Sequence, residues 1–261
     1  MQSKKLNPML SFILILILVS LACSSSAGGP VLTDTPAATA TDAATPTNTP
    51  RPSPTLRPTK TPDLAATQKY EAFNAEAQSY FDNGYFISAE GQTKELDDFK
   101  YDWAQLGWYN WFPLNQSASN FYISAHFTWS SAYRNADTSG CGFLFAIQEN
   151  GDHYAVFLDR TKILFLNADS ASSYSKPVGL TRGNGRVKFD NPADNPVEAD
   201  FTVIVNNMSA YVLVDGELVG QYTLAQSKIL KGDIALSILS GTNKDYGTRC
   251  EMTNIHIFIP K

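Results

Sequence analysis

Phe121-Tyr122-Ile123-Ser124-Ala125-His126-Phe127-Thr128-Trp129 decides the fold class. In an extended chain, successive side chains point to opposite faces, so alternation with period two marks a strand with one buried face. Phe121, Ile123, Ala125, Phe127 and Trp129 all share one face of this run. The run predicts a strand packed inward against a second layer.

The pattern repeats outward in both directions. Asp98-Phe99-Lys100-Tyr101-Asp102-Trp103 alternates polar and aromatic residues. Cys141 to Ile147 and Tyr154 to Leu158 flank Asn150-Gly151, a strong hairpin signal. Ile163 to Leu166 follows almost at once. Asp200 to Val205 and Ser209 to Val214 are strands around an Asn206-Asn207 turn. Asp215-Gly216 is a type I′ candidate leading into Glu217 to Leu224. Gly232-Asp233 opens Ile234 to Leu239, and Cys250 to Ile259 closes the chain. After Gly91 this makes roughly a dozen strands at the spacing of an antiparallel sandwich.

One helix precedes them. Asp63 is placed to N-cap a segment from Leu64 to about Phe81, which Asn83-Gly84 ends. Tyr70, Phe73, Ala77 and Tyr80 fall on one helical face and predict packing on the sandwich. The expected class is therefore all-β: a two-sheet antiparallel sandwich with one short N-terminal helix.

The first quarter reads differently. Residues 1–22 have Lys4 and Lys5 before the aliphatic run Met9 to Ala22, the build of a cleaved leader. Val19-Ser20-Leu21-Ala22-Cys23 resembles a bacterial lipobox, with Ser20 where Leu is commonest. That resemblance implies cleavage before Cys23 and lipid, palmitate included, on its thiol. An uncleaved anchor helix and a plain secretory signal are the alternatives. Residues 23–62 are rich in Thr, Pro, Ala and Ser and nearly free of aromatics, so they cannot build a core. As a proline-stiffened spacer at about 3.1 Å per residue, such a segment reaches on the order of 100 Å. The expected division is leader 1–22, disordered linker 23–62 and sandwich 63–261, with the domain lipid-anchored to the cell membrane on its extracytoplasmic side.

Composition narrows the partners. The 261-residue chain carries a net charge of −5 and no basic stripe, which argues against nucleic acid. No pattern specifies an oligomeric state. The cysteines are Cys23, Cys141 and Cys250. With Cys23 lipidated, Cys141 and Cys250 are left to pair in an oxidising compartment. Both begin strand-like runs, which favours a disulfide over two separate buried thiols.

From Phe121 to Ile259 the chain resembles the concanavalin A-like jelly-roll superfamily, in particular the laminin-G-like and 3-keto-disaccharide hydrolase-like domains. Gly140-Cys141-Gly142-Phe143-Leu144-Phe145 with His153-Tyr154-Ala155-Val156-Phe157-Leu158-Asp159 carries the likeness. So does Asp200-Phe201-Thr202-Val203-Ile204-Val205 with Tyr211-Val212-Leu213-Val214-Asp215-Gly216-Glu217-Leu218-Val219-Gly220, followed by Gly232-Asp233-Ile234-Ala235-Leu236. The resemblance implies a jelly-roll fold, with the strands of Cys141 and Cys250 lying side by side. It allows a structural calcium ion, although no dense acidic loop asks for one; no other cofactor is expected.

The chemistry-bearing residues are sparse. Sandwich glucanases of the superfamily set acids two apart on one strand; Glu198-Ala199-Asp200 begins that pattern and the third acid is missing. Glu95-Leu96-Asp97-Asp98 also lacks the ending. His126, His153 and His256 have no metal-ligand spacing, and His126 and His256 read as solvated strand positions. No Gly-x-Ser-x-Gly nucleophile elbow exists, and Gly183-Asn184-Gly185 reads as a loop turn. The best lead is aromatic: Trp103, Trp108, Tyr109, Trp111 and Phe112, with Asn110, Asn115 and Gln116 nearby. Such rings either fill the core or stack on sugars from the surface. Arg134 and Arg160 are weaker candidates. The leading expectation is a tethered, non-catalytic binding module for a glycan, such as a polysaccharide or cell-wall ligand. The alternatives are a glycoside-acting hydrolase and an envelope scaffold for a protein partner.

Overall fold

The computed structural model describes residues 64–133, 138–160, 162–171, 175–182, 196–226 and 228–261. The leader, Cys23, the linker, Asp63, Arg134 and Gly183-Asn184-Gly185 lie outside the described residues. The described part holds one helix, α1 (Leu64–Asp82), and the strands β1 (Gly91–Glu95), β2 (Phe99–Trp103), β3 (Trp108–Ala118), β4 (Phe121–Ser131), β5 (Gly140–Ile147), β6 (His153–Leu158), β7 (Lys162–Ala168), β8 (Lys176–Arg182), β9 (Val197–Asn206), β10 (Ser209–Val214), β11 (Glu217–Thr223), β12 (Gly232–Ser240) and β13 (Thr248–Pro260).

The strands form two antiparallel sheets. Sheet A runs β1-β13-β4-β9-β10-β11, with β2 also paired to β13; sheet B runs β3-β12-β5-β6-β7-β8. The chain crosses between the sheets several times, as from β4 to β5 and from β11 to β12. This is an all-β jelly-roll sandwich. Phe121, Ile123, Ala125, Phe127 and Trp129 of β4 all lie in the core between the sheets, where the alternation places them. Phe121 meets Phe145 of β5, and Phe127 meets Phe143 of β5 and Phe201 of β9. At roughly 25 cal/mol per Å² of apolar surface removed from water, this two-sided aromatic layer is the main stabilising term.

Cys141 and Cys250 form a disulfide, with Cα atoms 5.7 Å apart. Their strands are not side by side, as the resemblance implies, but face each other: β5 belongs to sheet B and β13 to sheet A. Both side chains point into the core, so the bridge staples the two layers together.

The turns also differ in detail. Asp215 and Gly216 both have positive φ, 51° and 77°, as a type I′ turn requires. At Asn150-Gly151 only Gly151 is left-handed, at 88°. The loop there runs from Gln148 to Asp152 and is closed by Gln148 N–H to Asp152 O and Gly151 N–H to Gln148 O. The Asn-Gly pair thus marks a hairpin, but a longer one than a two-residue turn.

Helix α1 ends in a Schellman motif: Tyr85 N–H donates to Tyr80 O and Gly84 N–H to Phe81 O, with Gly84 at φ 73°. Ala77 and Tyr80 are buried with Phe86 against Tyr122, Ile204, Leu213 and Phe258 on the outer face of sheet A. Phe73 packs at a tilt against His256, with centroids 4.5 Å apart. Tyr70 does not join them and is 61% exposed. His256 is likewise not a solvated strand position: the helix covers it, leaving it 8% exposed.

Candidate functional site

Strand β3 is the edge of sheet B and pairs only with β12, in the register Trp111↔Ser237 and Tyr109↔Leu239. Its alternation divides the aromatic cluster. Phe112 and Leu114 turn inward and pack against the core, as does Trp103 from β2. Tyr109 and Trp111 turn to the outer face of sheet B. Trp111 is 40% exposed, and Trp108, at the strand's start, is 63% exposed. The Trp103 indole N–H donates to the Trp108 carbonyl at 3.3 Å, fixing the entry to β3.

Tyr109 and Trp111 are held from below. The Tyr109 ring lies 5.4 Å from Phe157 and 6.0 Å from Trp111. Trp111 in turn lies 5.4 Å from the His153 ring. Both β6 residues are buried. His153 Nδ1 is 2.8 Å from the Gly151 carbonyl, which can only accept, so Nδ1 carries the proton. Its Nε2 lies 2.6 Å from the Tyr109 hydroxyl, which can donate or accept; in the neutral ring Nε2 accepts. Burial pushes the His153 imidazole below its usual value, aided by Lys228 and opposed by the Gly151 carbonyl and Asp152. Burial likewise pushes the Tyr109 hydroxyl up, against the opposing pull of a hydrogen bond from Ser175.

Asn110 has structural partners: its Oδ1 accepts from the Trp111 N–H at 3.0 Å, and its carbonyl accepts from Ser237 Oγ. Asn115 and Gln116 sit further along β3, where the Gln116 side chain donates to the Asn115 carbonyl. The Arg160 guanidinium lies 5.9 Å from the Trp129 ring. The outer row of sheet B beneath the rings is apolar, with Leu144, Ala155, Phe157, Ala235 and Leu239 buried together.

The acids fall elsewhere. Glu198 and Asp200 point outward from β9 in sheet A, and Asp200 Oδ1 contacts His126 Nδ1 at 2.8 Å. Trp111 and this acidic pair therefore occupy different sheets. Among the described residues no group of three or more His, Cys, Asp or Glu side chains is placed to hold a metal ion. The chemistry available at β3 is that of flat aromatic faces fixed on a rigid strand. Such faces stack on apolar C–H surfaces.

No protein-family model matches the chain, and no curated protein matches it in sequence. Solved structures of similar shape include the carbohydrate-binding module CBM66 from Bacillus subtilis. The two are 11% identical over 67% of this chain and 99% of that one, with a TM-score of 0.46. The Bacillus licheniformis beta-glucanase is 12% identical over 66% of this chain and 93% of that one, with a TM-score of 0.40. The catalytic domain of an endo-1,3-beta-glucanase (laminarinase) from Thermotoga petrophila is 10% identical over 57% and 67%, also at 0.40.

Proposed function

We propose that this chain is a membrane-tethered extracytoplasmic module that binds glycan through Trp108, Tyr109 and Trp111. One observation carries the reading: two tryptophans stay substantially exposed on an edge strand while their neighbour is locked from below by Phe157 and His153. Exposed indoles leave apolar surface in water, and a sugar ring's C–H face removes it on stacking. Pre-set rings lose little conformational freedom on binding. Trp103 acts in support of β3, and Asn110 holds the Trp111 backbone in place.

The test is retention in native affinity gels cast with a panel of soluble polysaccharides. Trp108→Ala and Trp111→Ala should each weaken binding about tenfold, equal to about 1.4 kcal/mol. Melting temperature should barely move, because neither ring is in the core. Wild-type retention by both variants would sink the aromatic site.

The tether rests on the sequence alone. Cys23 takes the lipid, residues 23–62 are the spacer and residues 63–261 the binding domain. Metabolic labelling with a palmitate analogue should mark the wild type and leave Cys23→Ala unmarked. An unlabelled wild type that keeps residues 1–22 would contradict it.

A further inference from the structure

His256 is a buried titratable group that the glycan-binding reading leaves unused. It sits on β13 at the outer face of sheet A, in register with Glu95 of β1 and Ser124 of β4, and beneath α1. Its Nδ1 lies 3.0 Å from the Asn254 carbonyl, and its Nε2 lies 2.6 Å from Glu76 Oε2. A carbonyl and a carboxylate are both acceptors. With Glu76 ionised, both ring nitrogens donate, which makes the ring an imidazolium. The other Glu76 oxygen accepts the Tyr80 hydroxyl at 2.8 Å. One partly buried ion pair thus joins the helix to β13 of sheet A.

We propose that His256 is a pH-sensitive latch: its imidazolium, bonded to Glu76, holds α1 on sheet A, and loss of its proton loosens the helix. Without that proton, Nε2 turns a lone pair toward a carboxylate that is only partly open to water. An uncompensated partly buried charge is costly, and undocking α1 returns Glu76 to solvent.

The groups around the latch set its range. Burial works against the charge on His256, but Glu76's hydrogen bond and charge, the Asn254 carbonyl and Glu95 outweigh it and hold the imidazole above its usual value. Glu95 is itself ion-paired with Lys69 of α1. Tyr122, which faces the ring, and Tyr80, which is bonded to Glu76, are both pushed up by burial. They therefore stay protonated through mildly alkaline solution. With the folded value above the unfolded one, the latch's contribution is complete below the ordinary histidine value. It is lost as pH rises through the folded one.

The test reads two signals on the full chain. Long-range proton–nitrogen NMR reports the protonation of each imidazole. Amide hydrogen exchange, corrected for its intrinsic pH dependence, reports docking of α1 relative to β4. The latch predicts a doubly protonated His256 at neutral pH and a titration midpoint above that of free histidine. Protection of the α1 amides should fall tenfold for each pH unit by which the folded midpoint exceeds the free one. Protection of β4 should hold. Glu76→Gln should lower the His256 midpoint and remove the step in α1. A His256 that is neutral at pH 7, or a wild-type α1 whose protection ignores its titration, would overturn the proposal.

Discussion

At Cys141 two demands meet in three residues. The cysteine points inward to its bridge, so Gly140 and Gly142 point outward. A Cβ on Gly142 would lie 2.2 Å from the Val156 carbonyl oxygen and 2.5 Å from the Phe157 ring. Backbone of a central strand cannot step aside cheaply. We expect Gly142→Ala to cost about 2–3 kcal/mol, within the range for overpacked cores, read as a fall in melting temperature. An unchanged melting temperature would show that β5 and β6 have slack. The bridge closes a separation of 109 residues, which the chain-entropy model equates to between 4 and 5 kcal/mol. The Cys141→Ser, Cys250→Ser double variant should lose about that much in a denaturant titration. At this scale the sequence was informative where chemistry is local: the Asp215-Gly216 turn is readable from neighbours alone. That Cys141 and Cys250 lie in opposite sheets is a property of strand order, which no residue's neighbours record.

Among the elements, β4 and α1 were legible and β3 was not, for physical reasons. In β4 one face is wholly apolar because it meets a core. The helix was legible from its spacing and its Asn83-Gly84 stop. Its buried side is narrower than the pattern suggests, since Tyr70 overhangs the edge at β1, beside Lys69 and Glu95. Strand β3 hides its period because both faces carry aromatics: Phe112 fills the core while Trp111 and Tyr109 rest on the outside of sheet B. An edge strand half-covered on both sides reads as a cluster, not as an alternation. The expected outcomes for β3 differ by face. Trp108→Ala and Trp111→Ala should reduce glycan binding with little change in melting temperature. At α1, raising the pH should loosen the helix before the sheets. The expectation of a solvated His256 fails because its position is covered by an element 180 residues away in the chain.

The described part of the chain is a stapled sandwich whose two outer faces differ. Sheet A carries the helix and, past it, the exposed pairs Arg249–Asp102 and Lys100–Glu251, which as surface ion pairs add little stability. Sheet B carries the apolar row on which Tyr109 rests, with Trp111 against Tyr109 and His153. The partial acid pattern at Glu198 and Asp200 was visible in the sequence, and so were the tryptophans. Their separation onto different sheets was not, since it follows from topology. Likewise, Tyr109 and His153 stand 44 residues apart in the chain, and only the order β3-β12-β5-β6 brings them together.

If glycan docks on β3 as proposed, Trp108 and Trp111 meet it and the other tryptophans do not. The four indole N–H signals in a proton–nitrogen NMR spectrum report each ring separately while polysaccharide is added. Trp108 and Trp111 should shift progressively, while Trp129, buried in the core, stays fixed and Trp103 moves little. Indoles of Trp108 and Trp111 that stay in place while a glycan binds, or while none of the panel binds at all, would contradict the account.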